Sequence, residues 1–137
     1  MDRDHPVHHR AVRTGERFAP GAGAAAGAVL FVLGSFINSW SEYQRKRFKA
    51  KPENGGRLYT GGLFSVSMHI NYFGDMIWAT GLALMTGSLI SAAIPVIMTA
   101  MFVWIHIPRL DAYLAEKYGR EFEDYASRTK KLIPWMY

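Results

Sequence analysis

Residues 76–108 read MIWATGLALMTGSLISAAIPVIMTAMFVWIHIP, 33 residues without an Asp, Glu, Lys or Arg. A single membrane crossing takes about 20 apolar residues. The run is too long for one span and suits a tight helical hairpin. Gly87, Ser88 and Ser91 supply a turn, which predicts helices near 72–87 and 92–107. Each is short for a bilayer, so tilt or local thinning is expected. Pro95 then falls in the first turn of the second helix, where its missing N–H costs little. Met76, Met85, Met98 and Met101 read as packing or lipid-facing residues. His106 reads as an interfacial hydrogen-bonding residue.

Immediately before this run lies a mixed stretch, Gly61-Gly62-Leu63-Phe64-Ser65-Val66-Ser67-Met68-His69-Ile70-Asn71-Tyr72-Phe73-Gly74-Asp75. Polar groups at a membrane boundary are expensive unless they bind something useful. The stretch is therefore expected to line a pocket at the cytoplasmic end of the membrane domain. Further upstream, residues 21–40 form another apolar segment of spanning length. Gly23 and Gly27, with Ala24 and Ala28, give it a small-xxx-small face for close helix contact. That face could also serve a partner membrane protein or self-association. Trp40 stands where an interfacial aromatic anchor belongs. The helix is expected to continue through Glu42 to Lys49, ending at the loop Pro52-Glu53-Asn54-Gly55-Gly56. Asn38, Glu42, Lys46 and Lys49 share one helical face. They form either a solvated stripe with a Glu–Lys pair or a phosphate-binding stripe that descends into the pocket, and spacing alone does not choose between the two.

Charge is segregated. Half of the 137 residues are hydrophobic and a fifth are charged, yet the charges gather in residues 1–17, 42–57 and 109–131. A soluble globule would distribute them over every helix. The net charge of +5 is read through the positive-inside bias and anionic membrane lipids, not nucleic acid. The absence of Cys excludes disulfides, thiolate metal sites and Cys nucleophiles. Residues 1–20 hold His5, His8 and His9 and read as a polar, flexible tail, not a metal site or a signal peptide. Pro108 is expected to open an amphipathic helix with Leu110, Tyr113, Leu114 and Tyr118 on one side and Gly119 as C-cap. The aromatic, charged tail after it either lies on the membrane surface or folds over the pocket. The fold class is an all-α integral membrane domain over 21–137, with about three transmembrane helices and a cytoplasmic C-terminal amphipathic helix. Its basic segments 42–57 and 109–131 should share the cytoplasmic side, as in a bacterial inner membrane.

Several motifs carry a resemblance. Thr60-Gly61-Gly62-Leu63-Phe64, Asn71-Tyr72-Phe73-Gly74-Asp75, Phe122-Glu123-Asp124-Tyr125 and Leu132-Ile133-Pro134-Trp135 are similar to the C-terminal half of the steroid 5-alpha-reductase family, above all its bacterial DUF1295 members. The Glu42–Lys49 stretch fits as well, and the resemblance spans residues 27–137. It implies a membrane oxidoreductase that uses NADPH to reduce a carbon–carbon double bond in a steroid- or lipid-like enone. Asn38, Glu42, Arg57, Asn71, Asp75 and Tyr113 match cofactor-pocket positions of that family. Lys46, Lys49 and Arg109 lie at or beside such positions. Lys and Arg suit phosphates, and Asn and Asp suit ribose or carboxamide groups. No metal is implied, and no catalytic residue is assigned, because the family's N-terminal half supplies the groups that polarise the substrate carbonyl. The expectation is therefore a cofactor-binding half. Many members have Arg-His-Pro-Asn-Tyr where this chain has Met68-His69-Ile70-Asn71-Tyr72, so one anion partner is lost. The related isoprenylcysteine methyltransferases share the Tyr-x-Gly corner and an acidic-aromatic tail. The alternative is thus an S-adenosylmethionine-dependent membrane methyltransferase. A third reading is a non-catalytic membrane module.

Overall fold

The computed structural model describes residues 21–137, and every regular element among them is helical. Helix α1 spans Ala22–Lys49. Its 28 residues extend about 42 Å at 1.5 Å per residue, well beyond ~30 Å of hydrocarbon. The last turns therefore project from the membrane, and their Lys46, Arg47 and Lys49 complement the C-terminal dipole. After short 3-10 turns at Pro52–Asn54 and Gly62–Ser65, α2 (Ile70–Thr86) returns antiparallel to α1.

Four glycines make that return possible. A Cβ on Gly27 would stand 2.5 Å from the Gly81 carbonyl oxygen, and one on Gly34 2.5 Å from that of Gly74. Gly74 and Gly81 face the α1 backbone in the same way. The two backbones touch, which maximises dispersion contact where no hydrophobic driving force separates helix from lipid. The small face expected on α1 thus finds its partner, at Gly27, within the chain. Ala24 and Ala28 remain exposed.

Gly87 ends α2 in the left-handed region (φ 67°), and Ser88 caps α3 (Leu89–Met101) by accepting from the Ile90 N–H at 3.2 Å. The hairpin turn lies where the sequence indicates. The second arm differs from expectation. It starts three residues earlier, so Pro95 is inside the helix. It also does not end at Pro108. A π-helical turn, Phe102–His106, links α3 without a break to α4 (Ile107–Tyr118). The Ile107 N–H reaches back five residues to Phe102, and Pro108, in the first turn of α4, follows this widened turn rather than opening a separate helix.

Gly119 (φ 57°) closes α4 and precedes α5 (Arg120–Arg128). The tail then folds back. The Met68 and His69 N–H groups donate to Lys130 and Lys131 carbonyls at 2.7 and 3.0 Å, the Ser67 hydroxyl donates to the Leu132 carbonyl at 2.6 Å, and Leu132 is fully buried. Phe64, Met68, Ile70, Phe122 and Tyr125 form the core of this end of the molecule.

Ala22–Lys49 and Leu89–Tyr118 are long and apolar enough to cross a membrane, yet only 11% and 17% of their apolar windows are buried within the protein. Val29, Val32 and Phe36 of α1 and Ile90, Ile94 and Ile97 of α3 are exposed. Such continuous apolar surface needs lipid around it, and the protein is membrane-embedded. At 17 residues, α2 spans about 25 Å and packs between them.

Candidate functional site

Where α1 leaves the apolar zone, α1 and α2 share a chain of polar side chains. Asp75 Oδ1 accepts from Asn38 Nδ2 and from Trp78 Nε1 at 2.8 Å. Asn38 Nδ2 also donates to the Asn71 carbonyl at 3.2 Å. The Asn71 side-chain amide donates to Glu42 Oε1 at 3.1 Å, and Glu42 is gripped by the Arg45 guanidinium at 2.6 and 2.7 Å. One turn of helix separates successive members on each element, so the glycine contact below sets their register. Each polar group that would be costly near hydrocarbon has a partner.

Beside this chain lies a cleft of about 90 Å³ lined in part by Arg45, Lys49, His69, Asn71, Leu110 and Tyr118. His69 is 1% exposed, and its Nε2 meets Asp111 Oδ1 at 2.7 Å. Its ring stacks on Tyr72 (5.5 Å), which stacks on Phe102 (4.5 Å). The Lys49 ammonium donates to the Tyr118 hydroxyl at 3.0 Å, which ties the projecting end of α1 to the end of α4. A second cavity of about 440 Å³ adjoins the cleft, with Leu58 and Tyr59 in the walls of both. It contains Arg57, Glu121, Asp124 and Arg128. Glu121 pairs with Arg57 at 3.5 Å and accepts from the Leu58 N–H at 3.2 Å. These contacts put the basic segments 42–57 and 109–131 at the same end of the molecule.

Of the nine cofactor positions expected from sequence, Asn38, Glu42, Asn71 and Asp75 come together directly. Lys49 lies at the cleft and Arg57 in the adjoining cavity. Lys46 and Arg109 are exposed. Tyr113 is 55% exposed, with the Lys117 ammonium over its ring at 5.7 Å. Sequence reasoning placed His69 in the pocket-lining stretch without giving it a role, and did not select Arg45, Trp78 or Asp111. Arg45 was accessible from its i,i+3 spacing to Glu42. The His69–Asp111 pair bridges 42 positions and has no local signal. Gly61-Gly62 also proves partly structural. The Leu63 N–H donates to Gln44 Oε1 at 3.0 Å, and a Cβ on Gly62 would collide with that same Gln44 amide. The expected tail 1–20, with its three His, lies outside the described residues.

Comparison with known proteins adds an independent line. Residues 5–129 match the family described as "Protein of unknown function (DUF1295)". The chain is 37% identical to a probable O-methyltransferase of Ustilaginoidea virens over 68% of this chain and 33% of that protein. It is 26% identical to protein-S-isoprenylcysteine O-methyltransferase B of Arabidopsis thaliana over 80% of this chain and 58% of that one. It is 32% identical to 3-oxo-5-alpha-steroid 4-dehydrogenase 2 of Homo sapiens over 81% of this chain and 42% of that one. The chain thus spans between a third and three fifths of these relatives.

Proposed function

The chain belongs to the DUF1295 family, and from that membership we propose that it is the cofactor-binding half of a membrane reductase. Its cofactor is NADPH, and its substrate is a steroid- or lipid-like enone whose carbon–carbon double bond is reduced. The observation that carries the reading is the juxtaposition of two cations and the Asn71 amide at one cleft. Arg45 and Lys49 stand beside Asn71, and Arg57 and Arg128 stand across the Leu58–Tyr59 wall. Guanidinium and ammonium groups suit a pyrophosphate and a 2′-phosphate, whereas S-adenosylmethionine offers them a single carboxylate and is otherwise cationic. Asn71 offers an amide partner for a ribose or carboxamide at the cleft, and Asn38 and Asp75, which do not line it, support it through their hydrogen bonds.

The donor set fits a dinucleotide, but the inner cleft at about 90 Å³ is below the ~300 Å³ of ordinary ligand pockets. Binding on this reading displaces the Leu58–Tyr59 partition and joins the two cavities. The bound cofactor supplies hydride; the chain's own residues hold its charge and orient it. A cavity of about 550 Å³ between α2 and α3, lined by residues such as Ala83, Leu84, Pro95, Val96 and Trp104, suits an apolar substrate body. Polarisation of the substrate falls to groups outside the described residues. The positive-inside bias sets both basic segments and the C-terminus in the cytoplasm, in a bacterial inner membrane.

The second reading is an S-adenosylmethionine-dependent methyltransferase, favoured by the 37% identity to a probable O-methyltransferase. One experiment separates the two. Ligands that bind only the folded state raise its thermal stability by mass action. Millimolar NADPH should raise the melting temperature of the purified protein in detergent, and S-adenosylmethionine should not. The reverse pattern transfers the assignment to the methyltransferase. A folded protein indifferent to both is a non-catalytic module.

A further inference from the structure

The face of α1 turned away from the polar chain carries another cavity, of about 310 Å³, lined in part by Trp40, Tyr43, Arg47, Lys51, Asn54 and Tyr59. At about 100° per residue, Trp40, Tyr43 and Arg47 lie roughly opposite Asn38, Glu42, Arg45 and Lys49. No carboxylate among the described residues lines this cavity. Among the described residues neither Arg47 nor Lys51 forms an ion pair. Both cations are exposed and have no counter-charge among the described residues.

Below them runs an aromatic stair. Phe36 stacks on Trp40 at 6.0 Å, Trp40 on Tyr43 at 5.4 Å, and the Arg47 guanidinium lies 5.9 Å from the Tyr43 ring centroid. The stair continues into the exposed Val29, Val32 and Leu33, which face the bilayer. Indole and phenol rings favour the headgroup level, and cations there attract anionic lipid. A phosphate held by Arg47 and Lys51 would sit directly above an apolar track for acyl chains. A soluble anion would use only Arg47 and Lys51 and leave the aromatic stair uncovered. We propose that this face of α1 is a binding site for one anionic phospholipid, with the phosphate on Arg47 and Lys51 and the chains along Tyr43, Trp40 and Phe36. The proposal does not depend on which cofactor the opposite face takes, and because Tyr59 lines both this cavity and the cleft its test is run without cofactor.

The test uses the full chain in detergent. Phosphatidylglycerol should raise its melting temperature, while phosphatidylcholine with the same acyl chains and millimolar inorganic phosphate should not. The double variant Arg47→Gln/Lys51→Gln should weaken the phosphatidylglycerol effect about tenfold or more in half-saturating concentration. Arg120→Gln/Lys130→Gln, which removes two exposed cations elsewhere, should leave it unchanged. Brominated phosphatidylglycerol should quench the fluorescence of the wild-type protein more than that of Trp40→Phe, which tests the site without altering a charge. Equal weakening by both double variants would reduce the effect to general surface charge. Equal responses to the two lipids, competition by inorganic phosphate, or identical quenching in Trp40→Phe would each overturn the proposal.

Discussion

At the scale of single residues, the polar end of the molecule is held by buried polar groups whose partners are distant in sequence. The Tyr125 hydroxyl donates to the Phe64 carbonyl, and the residue is 3% exposed. Burial pushes its phenol well above the usual value of about 10. The consequence for stability has a definite sign. Above pH about 10 the unfolded chain releases this proton and the folded chain keeps it. The hydroxyl's contribution is therefore complete below pH 10 and is lost progressively as the pH rises beyond it. Tyr125→Phe should cost about 1 kcal/mol at neutral pH, from the lost hydrogen bond to a buried carbonyl. It should also flatten the alkaline limb of stability relative to wild type, as read by thermal melts between pH 8 and 11. A parallel alkaline decline in both proteins would show that this phenol does not set it. The sequence placed Tyr125 in a motif but gave no partner, because a contact spanning 61 positions leaves no periodic trace. The pairing of His69 with Asp111 escaped for the same reason.

At the scale of elements, the glycine contact decides how α1 and α2 pair. Gly23 and Gly27 were legible as a close-packing face, since small residues four apart have few other uses in an apolar helix. The opposing Gly74 and Gly81 were not, because one sits within the Asn-Tyr-Phe-Gly-Asp motif and the other within an uninterrupted apolar run. The hairpin turn was legible from Gly87-Ser88, whose side chains or lack of them do local work. The passage through Pro108 was not, because a π turn depends on hydrogen-bond register and not on composition. A Cβ at Gly34 would collide with the backbone of Gly74, Ile77 and Trp78, and backbone cannot swing aside. Gly34→Ala should therefore destabilise by about 1–3 kcal/mol. Ala28→Leu, on the exposed face of the same helix, should change stability by less than about 0.5 kcal/mol. Because Asn38 rides one turn beyond Gly34, the same alanine should also weaken ligand-induced stabilisation. Retained stability in Gly34→Ala, measured by thermal melting in detergent, would mean that the helices pack further apart than described.

At the scale of the whole molecule, two ends with different solvents are joined by one polar seam. The membrane end exposes apolar residues on nearly all sides and gains little from its own burial. The other end has a conventional core, and the C-terminal tail completes it by pairing with Met68 and His69 and inserting Leu132. Sequence reasoning left the tail either on the membrane surface or over the pocket. Its aromatic spacing suits both, and only the long-range backbone pairing selects the second. The segment that receives the tail also carries His69 and Asn71 into the cleft, so tail docking and cleft geometry are one structural unit. Leu132→Ala should cost 2–5 kcal/mol by analogy with other fully buried leucines, and it should diminish cofactor-induced stabilisation although Leu132 does not line the cleft. Lys130→Ala, which keeps the backbone pairing and removes only an exposed side chain, should do neither. If Leu132→Ala lowered the melting temperature yet left the ligand-induced increment intact, the tail would be a stabilising cover alone, and the cleft would be organised by α1 and α2 without it.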